Sequence, residues 1–78
     1  MLLQDALKTM KGVRLTIFDY KTNAQIMPYR NWRNLDEPGY IYLKTLPLKV
    51  LLFEVVSIRP TESNHANIFV NGENLKWV

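Results

Sequence analysis

Leu51-Leu52-Phe53-Glu54-Val55-Val56-Ser57-Ile58-Arg59-Pro60 is the densest apolar run of the chain. Its β-branched residues and the closing Pro60 predict the central strand of a small sheet. The start of the run reads differently. Leu48, Leu51 and Leu52 have the spacing of one helical turn, with Pro47 at its first position. The preferred reading is a short helical turn followed by a strand at about residues 53–59. One long strand over 48–59 is the alternative.

N-terminal to this run, Leu3, Ala6, Leu7 and Met10 recur at i, i+3, i+4 and i+7, which predicts an amphipathic helix at about residues 2–11. Asp5 near its start and Lys8 and Lys11 near its end suit the helix dipole, and Gly12 is placed for a left-handed C′. Val13 to Tyr20 predicts a strand with Val13, Leu15 and Ile17 on one face and Arg14, Thr16, Phe18 and Tyr20 on a mixed second face. Tyr20-Lys21-Thr22-Asn23-Ala24 is a turn in which Asn23 is the best left-handed candidate. Ala24 to Tyr29 returns as a strand, and Pro28, which lacks a donor, puts its end at an edge or out of the ladder. Residues 29–39 lack a clean period and read as a connection. Tyr40-Ile41-Tyr42-Leu43 alternates like a short strand.

C-terminal to the run, Pro60 to Asn64 reads as a polar turn and Asn67 to Val70 as a strand. Asn71-Gly72 is a type I′ hairpin signal, from which Leu75 to Val78 would pair back as a last short strand. The expected fold is α+β: an N-terminal helix packed on a small, mostly antiparallel twisted sheet, or a partly closed β-barrel that protects its edges.

Seventy-eight residues are expected to form a single domain, 1–78. A chain this short buries only about 60% of the surface its unfolded form exposes. Without cysteine, neither a disulfide nor a thiolate metal site can reinforce it. No apolar run reaches the ~20 residues of a membrane span, and the first residues lack the pattern of a signal peptide. The expectation is a cytoplasmic protein without membrane contact.

The formal net charge of +3 is uneven. Residues 8–33 carry six cations against Asp19, a balance of +5, whereas residues 34–78 balance at −1.

The sequence order carries a resemblance. A leading helix of the type Leu3-Gln4-Asp5-Ala6-Leu7 runs into a strand ending Phe18-Asp19-Tyr20. A turn follows at Lys21-Thr22-Asn23, then Leu46-Pro47-x-x-x-Leu51-Leu52-x-Glu54-Val55-Val56-Ser57-Ile58, then Asn67-Ile68-Phe69-Val70. The pattern resembles small uncharacterised accessory proteins of phages and mobile elements of Gram-positive bacteria, with Asn23 where that family usually has glycine. The resemblance implies an accessory protein, not an enzyme, and carries over no catalytic or ligand residue.

The most informative polar segment is Tyr29-Arg30-Asn31-Trp32-Arg33-Asn34. Arginines can neutralise phosphates or fork onto carboxylates, and Tyr and Trp can stack on bases or fill a partner's pocket. Because tryptophan is highly buried on average, Trp32 also reads as a core plug. Tyr40 and Tyr42, with Lys44 next in the row, would form an aromatic and basic strand face, or pack across strands with their hydroxyls at the rim. Tyr29, Arg30, Trp32, Arg33, Tyr40, Tyr42 and Lys44 are therefore the expected partner-binding residues.

Catalytic, cofactor and metal residues are expected to be absent. His65 is the only histidine, there is no cysteine, and His65 reads as a solvated turn residue. Asp36-Glu37 reads as polarising a turn, Ser57 lacks a nucleophile-elbow context, and Glu54 reads as pointing outward toward an arginine. Gly12, Gly39 and Gly72 lie too far apart for a phosphate loop. Trp77 reads as an anchor for the last strand. The expected function is protein–protein binding by a non-enzymatic module. The alternatives are nucleic-acid binding through a basic-aromatic patch and an oligomer-forming subunit.

Overall fold

The computed structural model describes residues 1–26 and 36–72. Helix α1 (Leu3–Thr9) leads into strand β1 (Arg14–Asp19). Then come β2 (Glu37–Pro38), helix α2 (Gly39–Thr45), the single turn α3 (Leu48–Leu51), β3 (Glu54–Glu62) and β4 (His65–Asn71). The fold is α+β. Its four-stranded sheet has the order β2-β1-β4-β3 and is open rather than closed into a barrel. The outer pairings β1–β2 and β3–β4 are antiparallel, and the central pairing β1–β4 is parallel.

The centre of the sheet is β4, not the apolar run. Strand β3 begins and ends as an edge strand, which corrects the expectation for residues 51–60. Pro60 does not close it: it pairs with Ala66, and β3 continues to Glu62. Proline lacks an N–H, so it can occupy a strand only where no inward donor is needed, such as an edge or a bulge. Two register irregularities, at Val55/Ser57 and Pro60/Glu62, interrupt the same strand. The run does divide as expected, into the α3 turn and a strand.

The free edge of β3 is partly capped by the start of the chain. Leu2 bridges Glu54, Val55 N donates to Met1 O at 2.8 Å, and Leu3 N donates to Phe53 O at 2.8 Å. The last bond also satisfies one of the helix N–H groups left open at the start of α1. Glu54 pairs with the Met1 amino group at 3.5 Å rather than with an arginine.

All helices lie on one face. Leu3, Ala6 and Leu7 from α1 pack with Leu15 and Ile17 of β1, Ile68 and Val70 of β4, and Val50 and Phe53. The period-2 pattern of β1 and β4 thus divides cleanly: one set faces the helices and the other faces away. Phe53, Leu3, Leu7, Leu15, Ile68, Val50 and Val70 are the largest fully buried side chains.

Tyr40 to Leu43 is helical, not a strand. Gly39, Tyr42 and Leu46 are buried and Leu43 is partly buried, a spacing of three and four residues that belongs to a helix face. Gly39 lets α2 start against the end of α1. A Cβ there would lie 2.6 Å from Met10 O and 3.0 Å from Leu7 O. The close approach lets Gly39 N and Tyr40 N donate to the carbonyls of Val13 and Lys11.

Asn23 takes the expected left-handed conformation, with φ 58°. No glycine among the described residues has positive φ, so Gly12 is not a left-handed cap and Asn71-Gly72 is not a type I′ turn. Helix α1 ends instead through Met10 N, which donates to Ala6 O and Leu7 O. Of the expected strand 24–29, Gln25 forms one bridge to Phe18; residues 27–29 lie outside the described residues, as do Leu75 to Val78.

Candidate functional site

Among the described residues, no helix covers the second face of the sheet. Strand β1 presents Arg14, Thr16 and Phe18 there, β4 presents His65, Asn67 and Phe69, and β3 presents Ser57 and Arg59. These positions follow from the alternation that sends Leu15, Ile17, Ala66, Ile68 and Val70 inward.

At the centre Phe18 and Phe69 are direct cross-strand partners. Their rings stack with centroids 5.3 Å apart and an interplanar angle of 21°. The Arg59 guanidinium lies 5.3 Å from the Phe69 centroid. Three planar groups thus run across β1, β4 and β3, each half-buried or exposed. Such a stack adds about 0.5–1.5 kcal/mol beyond its area burial, and the cation–π contact about 0.5–1 kcal/mol at an exposed site.

At one end of this face His65, on β4, reaches β3, β1 and the residue that precedes β2. Its Nδ1 meets Thr61 Oγ1 on β3; its Nε2 lies 3.0 Å from Thr16 Oγ1 on β1 and 3.3 Å from Asp36 Oδ1, just before β2. His65 is therefore a half-buried cross-strand clamp, not a solvated turn residue. The sheet extends to the hairpin turn at Ser63-Asn64, and residue 65 is already paired with Glu62. Arg14 reaches Asp36 too: its Nε lies 3.6 Å from Asp36 Oδ2 as an ion pair, and its Nη2 donates to the Asp36 backbone carbonyl at 2.8 Å. Both partners are nearly half-exposed, so this pair is worth little energetically and serves chiefly to fix the chain entering β2.

No family model, curated protein or solved structure matches the chain. Function must therefore be argued from the geometry.

Of the sequence-predicted residues, the structure describes Tyr40, Tyr42 and Lys44. Tyr29, Arg30, Trp32 and Arg33 lie outside the described residues. Tyr40 and Tyr42, expected to share a strand face, are separated by the helix: Tyr40 is 45% exposed and Tyr42 is 2% exposed. Lys44 is exposed in the last turn of α2. Tyr42 has a structural task. Its Oη donates to Leu15 O at 2.9 Å and accepts from Glu37 N at 3.4 Å. Burial pushes its hydroxyl up to about 12, opposed by the Glu37 N–H and reinforced by the carboxylates of Asp36 and Glu37.

Sequence reasoning did not single out Phe69 or Arg59, and it read His65 as solvated. The signal for Phe69 was present: Ile68 and Val70 flank it, so a strand burying both must turn Phe69 to the other face.

Among the described residues no group of three or more metal-ligating side chains occurs, and no helix is long and apolar enough to cross a membrane.

Proposed function

We propose that this chain is a non-enzymatic accessory module of phage or mobile-element type that binds a protein partner in the bacterial cytoplasm. The open sheet face is its contact surface. The observation that supports this reading is the Phe18–Phe69–Arg59 row at the centre of the uncovered face. Aromatic and arginine side chains at the centre of a polar-rimmed patch are the composition of protein-binding hot spots. Thr16, Ser57, Asn67 and His65 supply the polar rim.

Charge favours protein over nucleic acid. Among the described residues, Arg14 and Arg59 share this face and its margins with Asp36, Glu54 and Glu62. A phosphate backbone needs a basic track, and its binding weakens steeply as salt rises. The third possibility, assembly by edge-strand pairing, meets the Met1–Leu2 cap and the bulged, proline-bearing edge of β3.

The test is capture from a Gram-positive host lysate with three proteins. The wild type and a helix-side control, Lys8→Glu, should retain the same partner. Asn67→Arg, which puts bulk in the middle of the open face, should lose it. Equal retention by Asn67→Arg refutes the open face as the site. Salt-sensitive binding of labelled oligonucleotides, without a retained protein, refutes the protein partner.

A further inference from the structure

Resting on that reading of the open face, we propose the partner's chemistry: a protein segment carrying a carboxylate beside an aromatic or aliphatic side chain, with Arg59 as the specificity-determining residue. The argument starts from how charge is compensated on this face. Asp36 is engaged by Arg14 and His65, and Glu54 by the Met1 amino group. Among the described residues, the Arg59 guanidinium has no ion-pair or hydrogen-bond partner; it lies over the Phe69 ring at 5.3 Å from its centroid. An arginine whose guanidinium carbon lies over an aromatic ring keeps N–H donors available, and a carboxylate matches them in a two-pronged geometry.

The apolar side chain has its own place. Phe69 is covered by Phe18 on one side and approached by Arg59 on the other. A ligand ring or aliphatic side chain therefore meets the exposed rims of the two phenyl rings while its neighbouring carboxylate reaches Arg59. A phosphate chain carries a charge at every ~3.4 Å along a strand. Crossing this face, it would run past Glu62 and Asp36 at one end or Glu54 at the other. A single carboxylate delivered to Arg59 avoids all three.

The experiment uses the full chain labelled with nitrogen-15 and three probes. Two are short Gly/Ser peptides with a central phenylalanine, flanked by aspartates in one and lysines in the other; the third is a thymidine decamer. The acidic peptide should shift the amides of Ser57, Arg59, Asn67 and Phe69 and bind at least about tenfold tighter than the basic one. Arg59→Gln should abolish that preference, and Arg59→Lys should restore only part of it, since lysine keeps the charge without the planar fork. Arg59 is exposed, and an otherwise unchanged amide spectrum verifies the fold of each variant. If acidic and basic peptides shift the face equally, and Arg59→Gln changes neither, the proposed chemistry is overturned while the protein-binding face stands. If only the decamer shifts the face, with affinity falling as salt rises, the protein-binding reading fails as well. No shift from any probe also overturns the proposal.

Discussion

Replacing Tyr42 by phenylalanine tests whether the tyrosine expected at a binding surface is instead a strut of the core. The ring is 2% exposed, and its hydroxyl donates to the Leu15 carbonyl at 2.9 Å. Tyr42→Phe keeps the ring packing and deletes the donor, which leaves a buried carbonyl short of a partner. The expected loss at neutral pH is about 1–3 kcal/mol. The pH dependence makes the test sharper. Burial raises the hydroxyl from 10.0 to about 12, so the folded chain holds this proton more tightly than the unfolded chain does. Stability from Tyr42 is thus fully present below pH 10 and is lost as pH rises through 12. The slope is about 1.4 kcal/mol per pH unit inside that window. The variant has no proton to lose there, and all other groups titrate in both proteins. The gap between wild type and Tyr42→Phe should therefore be nearly flat from pH 7 to 9 and shrink by about 1 kcal/mol between pH 10 and 11. Urea unfolding at each pH, followed by far-UV circular dichroism, measures the gap. A gap that stays constant to pH 11, or a variant as stable as the wild type at pH 7, refutes the buried donor.

Two backbone predictions follow from the same fold. Gly39→Ala should cost about 1–3 kcal/mol in urea unfolding, because the new methyl meets backbone oxygens of Met10 and Leu7 rather than a movable side chain. An unchanged midpoint would show that α1 and α2 are not so close. At Asn23, with φ 58°, substitution by alanine should cost about 1–2 kcal/mol, while glycine should cost a few tenths at most. Thermal midpoints of the pair decide it; equal losses would remove the left-handed turn.

The fold class, α1, β1 and the division of the apolar run were legible because each rests on local periodicity. Leu3, Ala6 and Leu7 can share a face only in a helix, and Leu15 and Ile17 do so in a strand. Tyr40 to Leu43 failed for a physical reason. Four residues alternating between tyrosine and aliphatic side chains satisfy a strand pattern, and the helical period emerges only when Gly39 and Leu46 are included. The error mattered for function, because it put Tyr42 beside Tyr40 on a surface when the helix sends it inward. His65 failed because a polar stretch after a proline resembles a loop. The strand persists there because β3, as an edge, tolerates Pro60 and bulges past it, which extends the hairpin to Glu62–His65.

Apolar density and topological centrality are separate properties, and this separation relocates the candidate site. Leu51 and Phe53 are buried but precede β3; within it Val55 and Ile58 turn toward the core, and Val56 is 49% exposed at a bulge. The run is dense because it spans a helical turn, a core entry and a strand, not because the sheet closes over it. Centrality depends on which backbone edges are occupied. Strand β4 is paired along both edges, with the even alternation that a bulge-free strand requires. β1 beside it is anchored by six successive partners in register. Phe18 and Phe69 are one of those pairs, so the aromatic centre of the open face stands on the two most constrained strands. A partner docking there meets side chains already ordered by their neighbours, which lowers the entropy lost on binding. The aromatic row thus stands on the strands that hold the sheet together, whereas Tyr29, Arg30, Trp32 and Arg33 lie outside the described residues.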